Sequence, residues 1–523
     1  MPTTTAPEHT PAPSAGVSLV ARPPAWLVTL AVLAVATVAI PLVYLGVRAS
    51  EVPSSEILAI LTRPLVGELV GNTIGLSVAV SVTAIAVGTA IATILTRWRI
   101  GAARTWLLVS ALPLAVPSYL ASYGWLVLVP GLQGFWPSWA LLSAVTIPYV
   151  TLPVAAVLRG TSADGEAVAR TLGLGPAQAF WRVTWPQVRP AAIAGGLLVF
   201  LYTLSDFGLV AMLRFPTLTW GVQQAYAASF DRSQAAVLAL LLVVIAVIVV
   251  AAERAARGSL TRSTATHATK EPLTAPVRVF FIAVVATPPL VGVLIPLMGM
   301  GTRLAEATTL RTINPVRLVE ATTTTIAVSV AAAFVALTLA LPIAALAARY
   351  RNRWIPTLEG AGYLSNGLPG IVVGLSLVFF SLSVIPALYQ TVIVLVFAYA
   401  VLFMPKALGT TRASIEGVSV DLVNVARTLG ASRFQAWRRV TVPLALPGIG
   451  IGALLVAITT MKELPATLLL RPLGSSTLAT ELWSRTAAGE FGAAAPYAAV
   501  LVLVAAIPAM ILSGVRSVAK EEL

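Results

Sequence analysis

The sequence predicts an all-α integral membrane protein of about twelve transmembrane helices in two parallel six-helix repeats. Three observations predict it. Of 523 residues, 58% are hydrophobic and 10% are charged, against about 25% charged in soluble globular chains. Apolar runs of about 20 residues, long enough to cross a hydrocarbon core, recur along the whole chain. A segment of the first half also returns in the second.

The runs lie near 24–47, 69–96, 105–129, 138–158, 191–213, 234–252, 277–300, 320–348, 356–382, 386–408, 448–470 and 492–515. Those at 105–129 and 356–382 carry Pro113, Pro117 and Pro369. Proline is tolerated in membrane helices where neighbours satisfy the freed carbonyls. Residues 1–23 are Pro/Thr-rich and read as a disordered cytoplasmic tail without the layout of a cleavable signal. The first domain is then 24–252 and the second 277–515. Residues 253–276, with Arg254, Arg257, Arg262 and Lys270, form a cytoplasmic linker, and 516–523 a cytoplasmic tail.

Composition also excludes functions. There are no cysteines and only two histidines, His9 and His267, so thiolate and histidine-rich metal sites are excluded. The four lysines are Lys270, Lys406, Lys462 and Lys520, and none follows a glycine. No Walker A loop is present, so any ATP hydrolysis belongs to another chain. The net charge of +14 needs no nucleic acid. With the N-terminus inside, most basic residues fall on the cytoplasmic side, as membrane topology favours. Dense clusters there are Arg97/Arg99/Arg104, Arg349/Arg351/Arg353 and Arg427/Arg433/Arg438/Arg439, which also suit lipid headgroups. An even number of spans puts the C-terminus, with Arg516 and Lys520, inside as well.

Residues 168–190, VARTLGLGPAQAFWRVTWPQVRP, and 425–447, VARTLGASRFQAWRRVTVPLALP, agree at 13 of 23 positions. Upstream, Thr73-Ile74 and Ser77-Val78 correspond to Thr325-Ile326 and Ser329-Val330, and Pro117 to Pro369. Downstream, Thr203–Phe207 corresponds to Thr460–Leu464. A parallel repeat implies a pseudo-two-fold axis along the membrane normal, with a path lined by equivalent spans of both halves.

Each repeated segment falls in a cytoplasmic loop. Val425, Ala426 and Leu429 recur at helical spacing, and Gly430 can end that helix in the left-handed conformation. Ser432 can cap a second helix carrying Phe434, Trp437 and Val440, which Pro443 and Pro447 end. Gly173, Phe180, Val183, Pro186 and Pro190 repeat the layout. Such a helix suits docking into a groove of a partner, or lying on the membrane surface.

The two segments resemble the EAA loops of ABC-importer permeases, in which EAA is followed by three residues, a glycine and a proline-terminated run. Ala169, Arg170 and Gly173, and Ala426, Arg427 and Gly430, stand in the matching positions. The leading glutamate is displaced: Glu166 lies one residue early, and Asn424 occupies its place in the second copy. The resemblance covers about residues 24 to 515. SDFG at 205–208 and KELP at 462–465 most resemble the ferric-iron permease branch, a neighbour of the thiamine, phosphonate and polyamine permeases. It implies the type I ABC-importer permease fold in the inner (cytoplasmic) membrane. The two loops would be coupling helices on ABC ATPase subunits, a homodimer that binds ATP and magnesium. An extracytoplasmic binding protein would deliver the substrate, and the chain itself would have no cofactor and no catalytic residue. The expected substrate is ferric iron; the alternatives are the same type of permease for thiamine, phosphonate or polyamine, and a twelve-span secondary transporter, which needs no docking helices.

Charges within spans complete the candidates. Burial of one at a helix centre costs about 2.5–3.5 kcal/mol on insertion scales and marks function by default. Asp206 and Glu463 occupy equivalent positions, with Lys462 beside Glu463. The three could line the path, the carboxylates forming an acidic constriction for a hard cation, or each carboxylate could cap an unwound turn. Arg214 and Arg471 are a second equivalent pair at the outer surface. They could grip a binding protein, or snorkel at the interface.

Overall fold

The computed structural model describes residues 23–160, 164–227, 232–257, 272–306, 309, 313–350 and 352–521. The N-terminal tail apart from its last residue, His9, His267, Arg262, Lys270 and Arg351 lie outside the described residues, as does most of the linker. Among the described residues every regular element is a helix.

Ten helices are long and apolar enough to cross a membrane: Ala25–Ser50, Pro64–Arg97, Phe135–Gly160, Pro176–Ser205, Arg232–Glu253, Ala275–Ala305, Pro315–Arg349, Val392–Glu416, Arg433–Met461 and Phe491–Pro508. The other two expected spans are broken. Around 105–129 the chain forms Ala103–Ala111, a 3-10 turn Leu112–Leu114 and then Ser118–Leu128, with a bend of 90° between the two helical pieces. Around 356–382 it forms Ile355–Gly362 and, after a turn, Gly370–Val384. The prolines set the breaks. Pro117 and Pro369 adopt extended ψ of 143° and 136° immediately before the second piece, where a residue without an N–H begins a helix but cannot continue one.

The two halves are built alike. Pro64–Arg97 packs against Pro148–Gly160 and Trp185–Ser205, and Pro315–Arg349 against Val392–Glu416 and Val442–Met461. The long central helices are tied outward by the same bond. The Leu218 backbone N–H donates to Thr73 Oγ1 at 2.8 Å, and that of Leu478 to Thr325 Oγ1 at 2.9 Å. Equivalent glycines allow the close approach. A Cβ on Gly195 would lie 2.8 Å from the Tyr149 carbonyl, and one on Gly452 would run into the Thr410 hydroxyl.

The first span of each half packs on the opposite half. Ala25–Ser50 lies against Pro315–Arg349 and Gly370–Val384, while Ile295–Ala305 lies against Ser118–Leu128. The second crossing is the tightest. A Cβ on Gly124 would overlap the Pro296 backbone, and one on Gly299 would overlap the Gly124 carbonyl. Small residues at a membrane helix crossing let backbones touch and gain dispersion contacts that lipid cannot outcompete.

Candidate translocation cavity and repeated loops

The expected spans 191–213 and 448–470 each break at their carboxylate. Trp185–Ser205 stops, and a short helix Gly208–Met212 follows; Val442–Met461 stops, and Pro465–Leu470 follows. A break inside a membrane frees backbone N–H groups that must find acceptors. Asp206 Oδ1 accepts from the Leu209 N–H at 3.0 Å. Glu463 Oε1 accepts from the Ala466 N–H at 3.0 Å, and its Oε2 from the Thr467 N–H and hydroxyl at 3.1 and 2.9 Å. Both carboxylates therefore sit at the start of a helix segment, where the N-terminal dipole also favours negative charge. Both are 8% exposed.

The partners of the carboxylates differ between halves. The Ser118 hydroxyl donates to Asp206 Oδ2. The equivalent of Ser118 is Gly370, where an added Cβ would run into Glu463 Oε1. A short acid with a serine in one half matches a long acid with a glycine in the other.

These breaks meet the broken third spans around a cavity of about 510 Å³ lined by both halves, including Pro117, Ser118, Asp206, Gly370, Lys462 and Glu463. Contacts between halves close its wall. Lys462 Nζ donates to the Leu114 and Ala115 carbonyls at 3.1 and 3.3 Å, and the Tyr119 hydroxyl to the Lys462 carbonyl at 3.3 Å. Phe207 packs on Trp483 with ring centroids 5.1 Å apart. The structure thus brings Asp206, Glu463 and Lys462 to one cavity.

Sequence reasoning missed three residues there. Ser118 and Gly370 directly follow the prolines that break the third spans, so the break itself was their signal. Lys406 lines the same cavity. It lies inside the run 386–408, and the rule that marks a charge within a span points to it. Its Nζ donates to Thr459 Oγ1 at 2.9 Å and lies 5.0 Å from the centre of the Phe403 ring.

Arg214 and Arg471 stand apart from this cavity. Each follows the short helix of its half, and Arg214 is exposed. Arg214 takes a positive φ of 51°, with the Phe215 N–H reaching back to the Val210 carbonyl at 2.9 Å.

The two repeated loops fold alike. Asp164–Thr171 and Val420–Thr428 are helices, ended by Gly173 and Gly430 at φ of 87° and 91°. The Leu174 N–H bonds the Ala169 carbonyl and the Gly173 N–H that of Arg170; Ala431 with Ala426 and Gly430 with Arg427 repeat the pair at 3.0–3.1 Å. This is a Schellman ending in both copies. Ser432 then caps a second helix in a reciprocal box with Gln435. The first copy has Gly175 there and no side-chain cap. The displaced Glu166 accepts instead from the Thr184 hydroxyl at 2.9 Å. Leu172 and Leu429 are 78% and 83% exposed, so each loop presents an apolar tip.

Comparison with known proteins agrees with this double architecture. The chain is 33% identical over 504 residues to the Fe(3+)-transport system permease protein FbpB 2 of Haemophilus influenzae, covering 94% of this chain and 98% of that one. It is 31% identical over 159 residues to the putative 2-aminoethylphosphonate transport system permease protein PhnV of Salmonella typhimurium, covering 30% and 58%. It is 29% identical over 200 residues to the molybdenum transport system permease protein ModB of Mycobacterium bovis, covering 35% and 75%. The model of the family described as binding-protein-dependent transport system inner membrane component matches twice, at residues 84–256 and 340–516. With one match in each repeat and together more than half of the chain, this protein belongs to that family and is a multi-pass transport permease of the inner membrane.

Proposed function

We propose that this permease is the membrane-spanning subunit of an ATP-driven importer, and that its substrate is ferric iron. The observation that carries the substrate is the similarity over nearly the full length of both chains to a protein named as an Fe(3+)-transport permease. The phosphonate and molybdenum permeases match only part of the chain.

In this reading the cavity between the halves is the path, and Asp206, Glu463 and Lys462 are its walls. The exposed tips around Leu172 and Leu429 dock on two ATPase subunits, a homodimer that carries the ATP and magnesium. Ala169, Arg170 and Gly173, with Ala426, Arg427 and Gly430, shape those tips. A pair of like grooves suits a pair of like helices, because an interface repeated by symmetry reuses one set of contacts. Arg214 and Arg471 receive the two lobes of a binding protein on the outer face, and both termini are cytoplasmic.

The test is uptake into proteoliposomes that hold the permease with its ATPase and are supplied with its binding protein. Radiolabelled ferric iron, thiamine, 2-aminoethylphosphonate and a polyamine are compared with and without ATP. ATP-dependent entry of iron alone is the expected result. Entry of another solute with iron excluded overturns the substrate.

A further inference from the structure

The cavity that two carboxylates mark in the sequence presents cations to its interior. Both oxygens of Asp206 and both of Glu463 already accept hydrogen bonds from the chain, and each residue is 8% exposed. The lysines are arranged the other way. Lys406 is exposed and Lys462 is partly exposed, although both belong to the lining of an internal cavity. An ammonium has three donors. Lys462 spends two on the Leu114 and Ala115 carbonyls and Lys406 one on Thr459. Among the described residues neither lysine is within ion-pair distance of a carboxylate. Donors of both ammoniums are left for whatever enters.

The pseudo-symmetry sharpens this. At the 257-residue offset that relates the loops, Lys406 falls on Tyr149 and Lys462 on Ser205. Both counterparts line the same cavity. Positive charge enters the wall from the second half only, and the corresponding residues of the first half carry hydroxyls. A hard cation would meet two like charges at the lysines, while the oxygens of Asp206 and Glu463 are already taken up by hydrogen bonds from the chain. An anionic oxygen would meet charge-assisted donors, which bind more strongly than neutral ones, beside hydroxyls of the same lining.

We propose that Lys406 and Lys462, with Tyr149 and Ser205, form a passage site for a solute whose outer surface carries anionic oxygens. Two sources share that chemistry: a ferric ion enclosed in a carboxylate or phosphate complex, and a free oxyanion. The inference rests on the reading of the cavity as the transport path, and not on iron as the substrate.

The test uses the complete complex in proteoliposomes with its binding protein. Radiolabelled iron is supplied as citrate or phosphate complexes whose anion carries a second label; molybdate, 2-aminoethylphosphonate and thiamine are run in parallel. Lys406→Met is compared with Lys406→Arg, and Lys462→Gln with Lys462→Arg, all at equal yield of complex. The expected result is co-entry of iron and its anion. Loss of one charge-assisted bond lowers uptake about tenfold in Lys406→Met and Lys462→Gln, with recovery in the arginine variants. Poor yield of Lys462→Gln leaves the Lys406 pair to decide. Entry of iron without its anion overturns the proposal, as does wild-type uptake by Lys406→Met. If wild type imports molybdate or the phosphonate with the same lysine dependence and takes no iron, the iron reading fails and the site stands. Uptake of thiamine alone overturns the site and leaves the permease intact.

Discussion

Ser118 donates its hydroxyl to Asp206, and at the equivalent place in the other half Gly370 leaves bare backbone against Glu463. Side-chain length and neighbour size compensate across the pseudo-two-fold. Gly370→Ser should therefore force a Cβ into the Glu463 carboxylate and cost about 1–3 kcal/mol, the usual range for overpacking. Adding Glu463→Asp should recover much of that loss by recreating the first half's pair. Thermal unfolding of the purified permease measures both, and a double variant no more stable than Gly370→Ser would contradict the pairing.

The amide variants of the two carboxylates should differ. In Asp206→Asn the Ser118 hydroxyl can turn to accept, so yield should stay near wild type. In Glu463→Gln one amide group must face a backbone N–H, Ala466 or Thr467, and an unsatisfied buried donor costs about 1–3 kcal/mol. Detergent-stable yield, read beside uptake, separates the roles. Lost uptake with full yield in both variants would favour an acidic constriction. Full uptake by the double variant would exclude one.

Gly173→Pro and Gly430→Pro should abolish uptake. Their φ of 87° and 91° lies far from the value near −65° that proline imposes. Co-purification of the ATPase with each variant shows whether docking fails or coupling fails. Normal uptake in the double variant would sink the coupling assignment.

Arg214→Glu and Arg471→Glu should weaken association with the binding protein and flatten its dependence on salt, because screened charge pairs set both. Affinities measured across a salt series check this. Unchanged values would leave interface snorkelling as their role.

Gly124→Ala should damage assembly of the halves more than Gly46→Ala does. A Cβ at 124 meets the Pro296 backbone, which cannot swing aside, whereas one at 46 meets nothing within 4 Å. Yield and melting temperature of the two variants give the comparison.

Hydropathy, charge placement and the repeat are properties of local chain stretches, and they were legible. The apolar runs located the spans because lipid demands length and apolarity from each segment by itself. The loop glycines and Ser432 announced their helix ends because caps are made within a few residues. Asp206 and Glu463 stood out as costly charges at matching positions. What the tertiary structure alone decided depends on groups hundreds of residues apart. Nothing near Ala25–Ser50 or Ala275–Ala305 says that each crosses to the opposite half. At the second crossing the fit of Gly299 against Gly124 shows what the choice rests on. The prolines warned of broken third spans, whereas the breaks after Ser205 and Met461 are capped locally by Asp206 and Glu463, and only the fold shows that they meet around one cavity. Lys406 and Lys462 are 56 residues apart in the sequence and carry no shared motif. They line one cavity because two helices pack side by side.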